Sequence, residues 1–108
     1  MKRKLFINCQ FVGGTKRIKA EGEKINLRKG FKLFVVRNPI TKCWSVTELQ
    51  SGMKVADSGG TKKEVIQLAR YRLTELSDDQ IRRGIEAAIK EFGILNPLPE
   101  KKCAKPTP

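Results

Sequence analysis

Histidine is missing from all 108 residues. With it go the commonest general acid–base side chain at neutral pH and the commonest nitrogen ligand of metals. Cysteine is scarce: Cys9, Cys43 and Cys103 are scattered, and none forms a CxxC pair. No structural zinc site is therefore expected, and no metal or cofactor is assigned. Cys43, beside Trp44, is expected to be ordinary packing. An odd thiol count points to reduced cysteines in a cytoplasmic protein. Behind Lys2-Arg3-Lys4 there is no apolar run long enough for a signal peptide or a membrane span. A phosphate loop of the GxxxxGK[ST] kind is also lacking, since Gly59-Gly60-Thr61-Lys62 does not have its spacing. Those glycines could still present backbone N–H groups to a phosphate. Ordinary capping at a strand-to-helix turn is the preferred reading. Asp78 and Asp79 are likewise explained by helix capping rather than metal binding. The chain is expected to be non-enzymatic.

Acidic residues are in short supply. Eleven Asp and Glu face 23 Lys and Arg, giving a net charge of +12 and a pI near 10.0. Self-repulsion at that charge opposes folding, so a polyanionic partner, DNA or RNA, ranks above a merely solubilising surface. The excess is uneven. Residues 1–47 carry twelve cationic side chains against two Glu, and the remainder carries eleven against nine. The N-terminal half supplies the field, and the helices are closer to neutral.

What the chain does contain is an organised stretch from Phe31 to Leu76. Phe31–Arg37 is rich in aromatic and β-branched residues, which fit a pleated surface. Asn38-Pro39 breaks it. Cys43–Leu49 resumes with Trp44 and Val46 on one face and Ser45 and Thr47 on the other. Gln50-Ser51-Gly52 is a turn, after which Met53, Val55 and Asp57 alternate with Lys54 and Ala56. Ser58-Gly59-Gly60 ends this third strand. Thr61-Lys62-Lys63-Glu64 has the capping-box pattern, and Val65, Leu68, Ala69, Leu73 and Leu76 follow at helical spacing. Three strands alone are marginal, so this helix is expected to cover the face that carries Trp44, Val46 and Val55.

Before this unit, Leu5–Val12 is a strand candidate with Leu5, Ile7, Cys9 and Phe11 on one side. Gly13-Gly14-Thr15 is a turn, and Lys16–Ala20 a return strand. Glu21–Gly30, with two glycines, is expected to be mostly loop, anchored by Ile25 and Leu27. After it, Ser77-Asp78-Asp79-Gln80 is a second capping box. Ile81, Ile85, Ala88, Ile89 and Phe92 make an apolar stripe that ends at Gly93, and packing on the domain is preferred to a dimer-forming helix. The fold class is therefore α+β: an antiparallel sheet of three to five strands with two C-terminal helices, one packed on the sheet. Residues 1–93 form one domain around the 31–76 unit, and residues 94–108 a flexible tail rich in Pro and Lys. A monomer or weak homodimer is expected.

The nucleic-acid features are cationic and polar. Lys16, Arg17 and Lys19 cluster in the first hairpin. Arg37 and Lys42 flank the turn at Asn38–Thr41. Lys32, Ser45, Thr47 and Lys54 are expected to share an uncovered sheet face, with Lys62 and Lys63 at the helix start. Lys and Arg neutralise phosphates, and Ser and Thr can bond phosphates or base edges. Phe34 could stack on bases from the same face, although core beneath the N-terminal segment is the commoner fate of such a residue.

Strand, turn, strand with Trp44, turn with Gly52, strand, then TKKEV opening a helix: this order resembles the three-stranded-sheet-plus-helix DNA-binding domains, the arm-binding domains of phage-type integrases and the AP2 domains. The resemblance covers about residues 31–76. It implies a buried Trp44 and outward readers at Ser45 and Thr47, although the family's dense strand arginines are mostly missing. Trp44–Leu73 is also similar to the second half of a double-stranded-RNA-binding domain, whose first helix has no counterpart. The expected function is a small nucleic-acid-binding protein of a phage or other mobile element. The alternative is a protein-binding inhibitor of a host nucleic-acid machine, of anti-CRISPR or anti-restriction type. A nuclease would require converging carboxylates.

Overall fold

A computed structural model describes residues 2–96, apart from the side chains of Gln10 and Phe11. Five antiparallel strands run in sequence order across one sheet: β1 (Lys2–Phe11), β2 (Gly14–Ile25), β3 (Leu33–Arg37), β4 (Trp44–Glu48) and β5 (Lys54–Ser58). Two helices follow, α1 (Lys62–Thr74) and α2 (Asp78–Phe92). The fold is α+β, with α1 packed on β4 and β5. Among the described residues no helix is long and apolar enough to cross a membrane.

Both helices begin as their caps dictate. Thr61 and Glu64 close a reciprocal capping box on α1, and Ser77 and Gln80 do the same on α2. Each box satisfies two N–H groups that a first turn leaves without partners. α2 ends at Gly93, whose φ of 82° suits a residue without Cβ. Only Ile81 of its stripe is fully buried, while Ile85 packs on the core half-covered and Phe92 stays 39 % exposed.

The register fixes which side chains share a face, because residues directly opposite in adjacent strands point the same way. One row runs Lys2, Glu23, Val35, Val46, Ala56; the next runs Lys4, Glu21, Arg37, Trp44, Ser58. α1 sits over the apolar part of these rows. Val65, Ala69 and Leu73 bury themselves on Leu33, Val35, Val46 and Ala56. A β-bulge opposite Val46 and Thr47 makes Val55 the extra residue of β5. Val55 and Ala56 therefore both join this core, where simple alternation placed Ala56 outward.

The opposite face holds a second core of Leu5, Ile7, Ala20, Phe34, Val36 and Leu49. It exists because β1 and β2 are longer than the sequence alone indicates and lean over it. Glu21–Ile25, expected as loop, is the second half of β2 and pairs with β3. Gly22 makes the close approach possible, since a Cβ there would meet Leu5 Cδ2 at 2.8 Å and Val36 Cγ2 at 3.0 Å. Phe34 is consequently core. Asn96 closes the seam. Its side-chain amide takes the Phe6 N–H at 2.8 Å, and donates to the carbonyls of Phe6 at 2.9 Å and Leu49 at 2.8 Å. Leu95 N–H donates to the Gln50 carbonyl at 2.7 Å, and its side chain fills the space left at Gly52. Leu95 and Asn96 thus belong to the folded unit rather than to a tail, while the expected tail from residue 97 onward lies outside the described residues. The side chain of Phe11, expected to align with Leu5, also lies outside them.

Candidate nucleic-acid interface

α1 covers β4 and β5 but not the outer half of the sheet. Where the apolar rows give way to charge, a cleft of about 450 Å³ opens between the β1–β2 hairpin, the 38–43 loop and the start of α1. Its cations are Lys2, Lys4, Lys19, Arg37, Lys42 and Lys62. They come from separate parts of the chain and meet because the register aligns them. Glu21 and Glu23 stand among them, so six cations face two carboxylates.

Trp44 forms part of the wall. It is half-buried rather than core, with its ring packed against the first core. The Arg37 guanidinium and the Lys62 ammonium each lie 5.8 Å from its ring centroid. Cations at that range are attracted by the ring's negative face, which holds both toward the cleft. Further along the hairpin Phe6 is 36 % exposed, with the Lys19 ammonium 5.3 Å from its centroid. Arg17 shares this side of β2.

Lys62 also makes a 2.5 Å ion pair with Glu23 across the cleft. That hydrogen bond, and the Lys62 charge behind it, hold the Glu23 carboxyl below its ordinary value of 4.5. Lys42 occupies the left-handed region at φ 68° and is exposed. The loop around it is braced by Asn38, whose side-chain oxygen accepts the N–H groups of Ile40 at 2.8 Å and Thr41 at 3.1 Å. Arg37 Nε donates to the Lys42 carbonyl at 3.3 Å.

Of the expected site, the structure brings together Lys19, Arg37, Lys42 and Lys62, with Lys63 exposed in the same first helical turn. Lys16 points to the other side of β2 from Lys19. Lys32 borders a separate hollow with Lys24, Arg28 and Lys29. Lys54 lies on the far face, opposite Thr47, and pairs with Asp57 at 3.5 Å. Ser45 and Thr47 do not form an open reading face: they are 7 % and 2 % exposed, covered by the leaning hairpin. Cys43 precedes β4 and is exposed rather than packed. Lys2 and Lys4 were missed. The alternation of Lys2, Lys4 and Phe6 was their signal, placing all three on one side of a strand that begins before Leu5.

The glycine turn before α1 is capped by the chain's own carboxylate. The Glu64 carboxylate occupies the space beside Gly60 and accepts the Thr61 N–H at 2.9 Å. Among the described residues no three His, Cys, Asp or Glu side chains converge as metal ligands. Compared with known proteins, the chain matches no family model, no curated protein and no solved structure.

Proposed function

We propose that this protein binds nucleic acid without transforming it, by seating the phosphate backbone in the cleft between the β1–β2 hairpin and α1. One observation carries the reading: Lys2, Lys4, Lys19, Arg37, Lys42 and Lys62 converge there from four parts of the chain. Gathering like charges opposes folding, and a polyanion relieves that repulsion. Two aromatic rings, Phe6 and Trp44, lie among the cations, the combination that proteins use to follow a sugar–phosphate backbone. The sheet face involved is the helix-side face of the hairpin, not the one bearing Ser45 and Thr47.

The test is a salt titration of binding to duplex DNA, single-stranded DNA and RNA. Log K should fall linearly with log salt, with a slope of about −0.9 per duplex phosphate neutralised. Lys19→Ala, Arg37→Ala and Lys4→Ala should each make the slope shallower by about 0.9. Lys32→Ala, outside the cleft, should leave it nearly unchanged. An absence of binding to all three nucleic acids at low salt would defeat the proposal.

A second reading, a protein-binding inhibitor of a nucleic-acid machine, is favoured by Glu21 and Glu23. They repel a bare polyanion, whereas mixed charge suits a folded protein surface. Glu21→Gln separates the two: it should strengthen nucleic-acid binding under the first reading, and weaken capture of the protein partner under the second.

A further inference from the structure

The other face of the sheet has a hollow of its own. Leu95 and Asn96 seal the seam between β1 and the 49–52 turn. Beside them a recess of about 250 Å³ stays open between β1 and the inner face of β4 and β5. Ile7 gives it an apolar wall, and Asn8, Ser45 and Thr47 give it neutral polar ones, while Asn38 on its rim is already engaged by Cys9, Ile40 and Thr41. The Lys54 and Asp57 charges on its border are paired with each other. The Thr47 hydroxyl is buried there without a hydrogen-bond partner, the only such side-chain group among the described residues. A buried hydroxyl left unpaired is costly, and Val would fill the same position without that cost. A polar group seated against this wall of the recess, a water or a ligand edge, would give the hydroxyl a partner.

Position and size narrow the occupant. The 38–43 loop is a wall shared by both hollows: Asn38, Thr41 and Cys43 line the recess, and Pro39 and Lys42 line the cleft. Trp44 borders both. A chain whose phosphates lie in the cleft therefore has the recess on the other side of this loop. The volume falls below the roughly 300–1,000 Å³ of drug-sized sites, which suits one small planar group. Neutral donors and acceptors over an apolar wall match a base edge better than a phosphate. We infer that the recess takes one unstacked base of a single-stranded nucleic acid whose backbone lies in the cleft. This rests on the nucleic-acid reading above. It makes single strands the substrate class, because a duplex keeps its base edges paired, whereas single strands can splay bases out for recognition.

Two measurements test it together. In the first, short homopolymers of dT, dC and dA and a mixed duplex are titrated against the parent and Thr47→Val. The parent should prefer single strands and should favour one base by about tenfold, the gain from a well-bonded base edge. Thr47→Val should erase that preference and leave the salt slope unchanged. In the second, uncharged nucleosides are titrated into the parent while amide NMR signals are followed. Asn8, Ser45 and Thr47 should shift, and cleft residues should not. Because this uses no variant, it holds even if Thr47→Val folds poorly. Salt-dependent binding with no base preference and no nucleoside shifts would overturn the base recess and leave the phosphate cleft standing. Nucleoside shifts without any oligonucleotide binding would overturn the cleft instead, and with it the single-strand assignment.

Discussion

Lys42 sits where glycine or asparagine is the usual occupant, at φ 68°. A side chain in that region costs about 1–2 kcal/mol. Its ammonium lies on a cleft already crowded with like charge, so neither backbone nor electrostatics within the chain favours lysine there. Lys42→Gly should therefore leave stability unchanged or raise it by up to about 1 kcal/mol, the strain relieved being offset by glycine's greater freedom when unfolded. The same change should make the salt slope of binding shallower by about 0.9. Urea unfolding beside a binding titration checks both, and a loss of stability with binding intact would assign Lys42 to the loop alone. Glu23 gives a pH test at the same scale. Its folded pKa is depressed by Lys62, so its contribution to stability is present above the ordinary 4.5 and lost as pH falls through the lower folded value. Both partners are more than a third exposed in their side chains, and the stabilisation is accordingly small. The effect on binding should be clearer. Glu23→Gln should bind nucleic acid more tightly than the parent at neutral pH, and the gap should close as the parent's Glu23 protonates below pH 4.5. A gap constant across that range would show that Glu23 does not restrain Lys62.

At the scale of elements, the β1–β2 hairpin has two jobs that pull on its sequence differently. Its inner side, Leu5, Ile7 and Ala20, is core; its helix-side face, Lys2, Lys4, Phe6 and Lys19, is cationic and open. The hairpin holds its lean through Gly22 at the bend and Asn96 at the seam. Asn96 stands in for a strand: one amide accepts and donates to Phe6 as an adjacent strand would, and it blocks part of the outer edge of β1. Asn96→Ala leaves the Phe6 N–H and two carbonyls without these partners in a part-buried setting. A cost of about 1–3 kcal/mol is expected. The Phe6 amide should also exchange with solvent well before those of β3 and β4, by native-state hydrogen exchange. Uniform exchange across the sheet would mean that the seam contributes no local stability.

For the whole molecule, the charge is segregated rather than spread. The cleft gathers cations from the N-terminal half with only Lys62 from the helices, whereas both helices carry acidic residues in their first turns. A net charge of +12 on 108 residues makes self-repulsion a whole-molecule property. The melting temperature should rise by several degrees between low and physiological salt, as the screening length shortens from about 30 Å to about 8 Å. Inorganic phosphate should raise it further than chloride at equal ionic strength, through binding to the folded state. Calorimetry in matched buffers checks this. A melting temperature that falls with salt would show that ion pairs such as Lys62–Glu23 outweigh the repulsion.

Features written in local sequence were settled by the sequence alone. Thr61 with Glu64 and Ser77 with Gln80 start the two helices where the capping boxes lie, because a cap bonds N–H groups only a few residues away. The β3–β4–β5 meander follows from period-two alternation and from turns at Asn38-Pro39 and Ser51-Gly52. The second half of β2 was hidden because Gly22 looks like a loop residue, while its role is to admit Leu5 and Val36 from distant strands. The candidate site was split in the same way. Charge counting located the excess in the N-terminal half, and Lys19, Arg37, Lys42 and Lys62 do meet. Alternation at Trp44–Glu48 established that Ser45 and Thr47 face away from α1. What lies over that face depends on β1, some 40 residues earlier in the chain, leaning across it. Periodicity reports that two faces of a strand differ; only packing between remote segments decides which of them meets solvent.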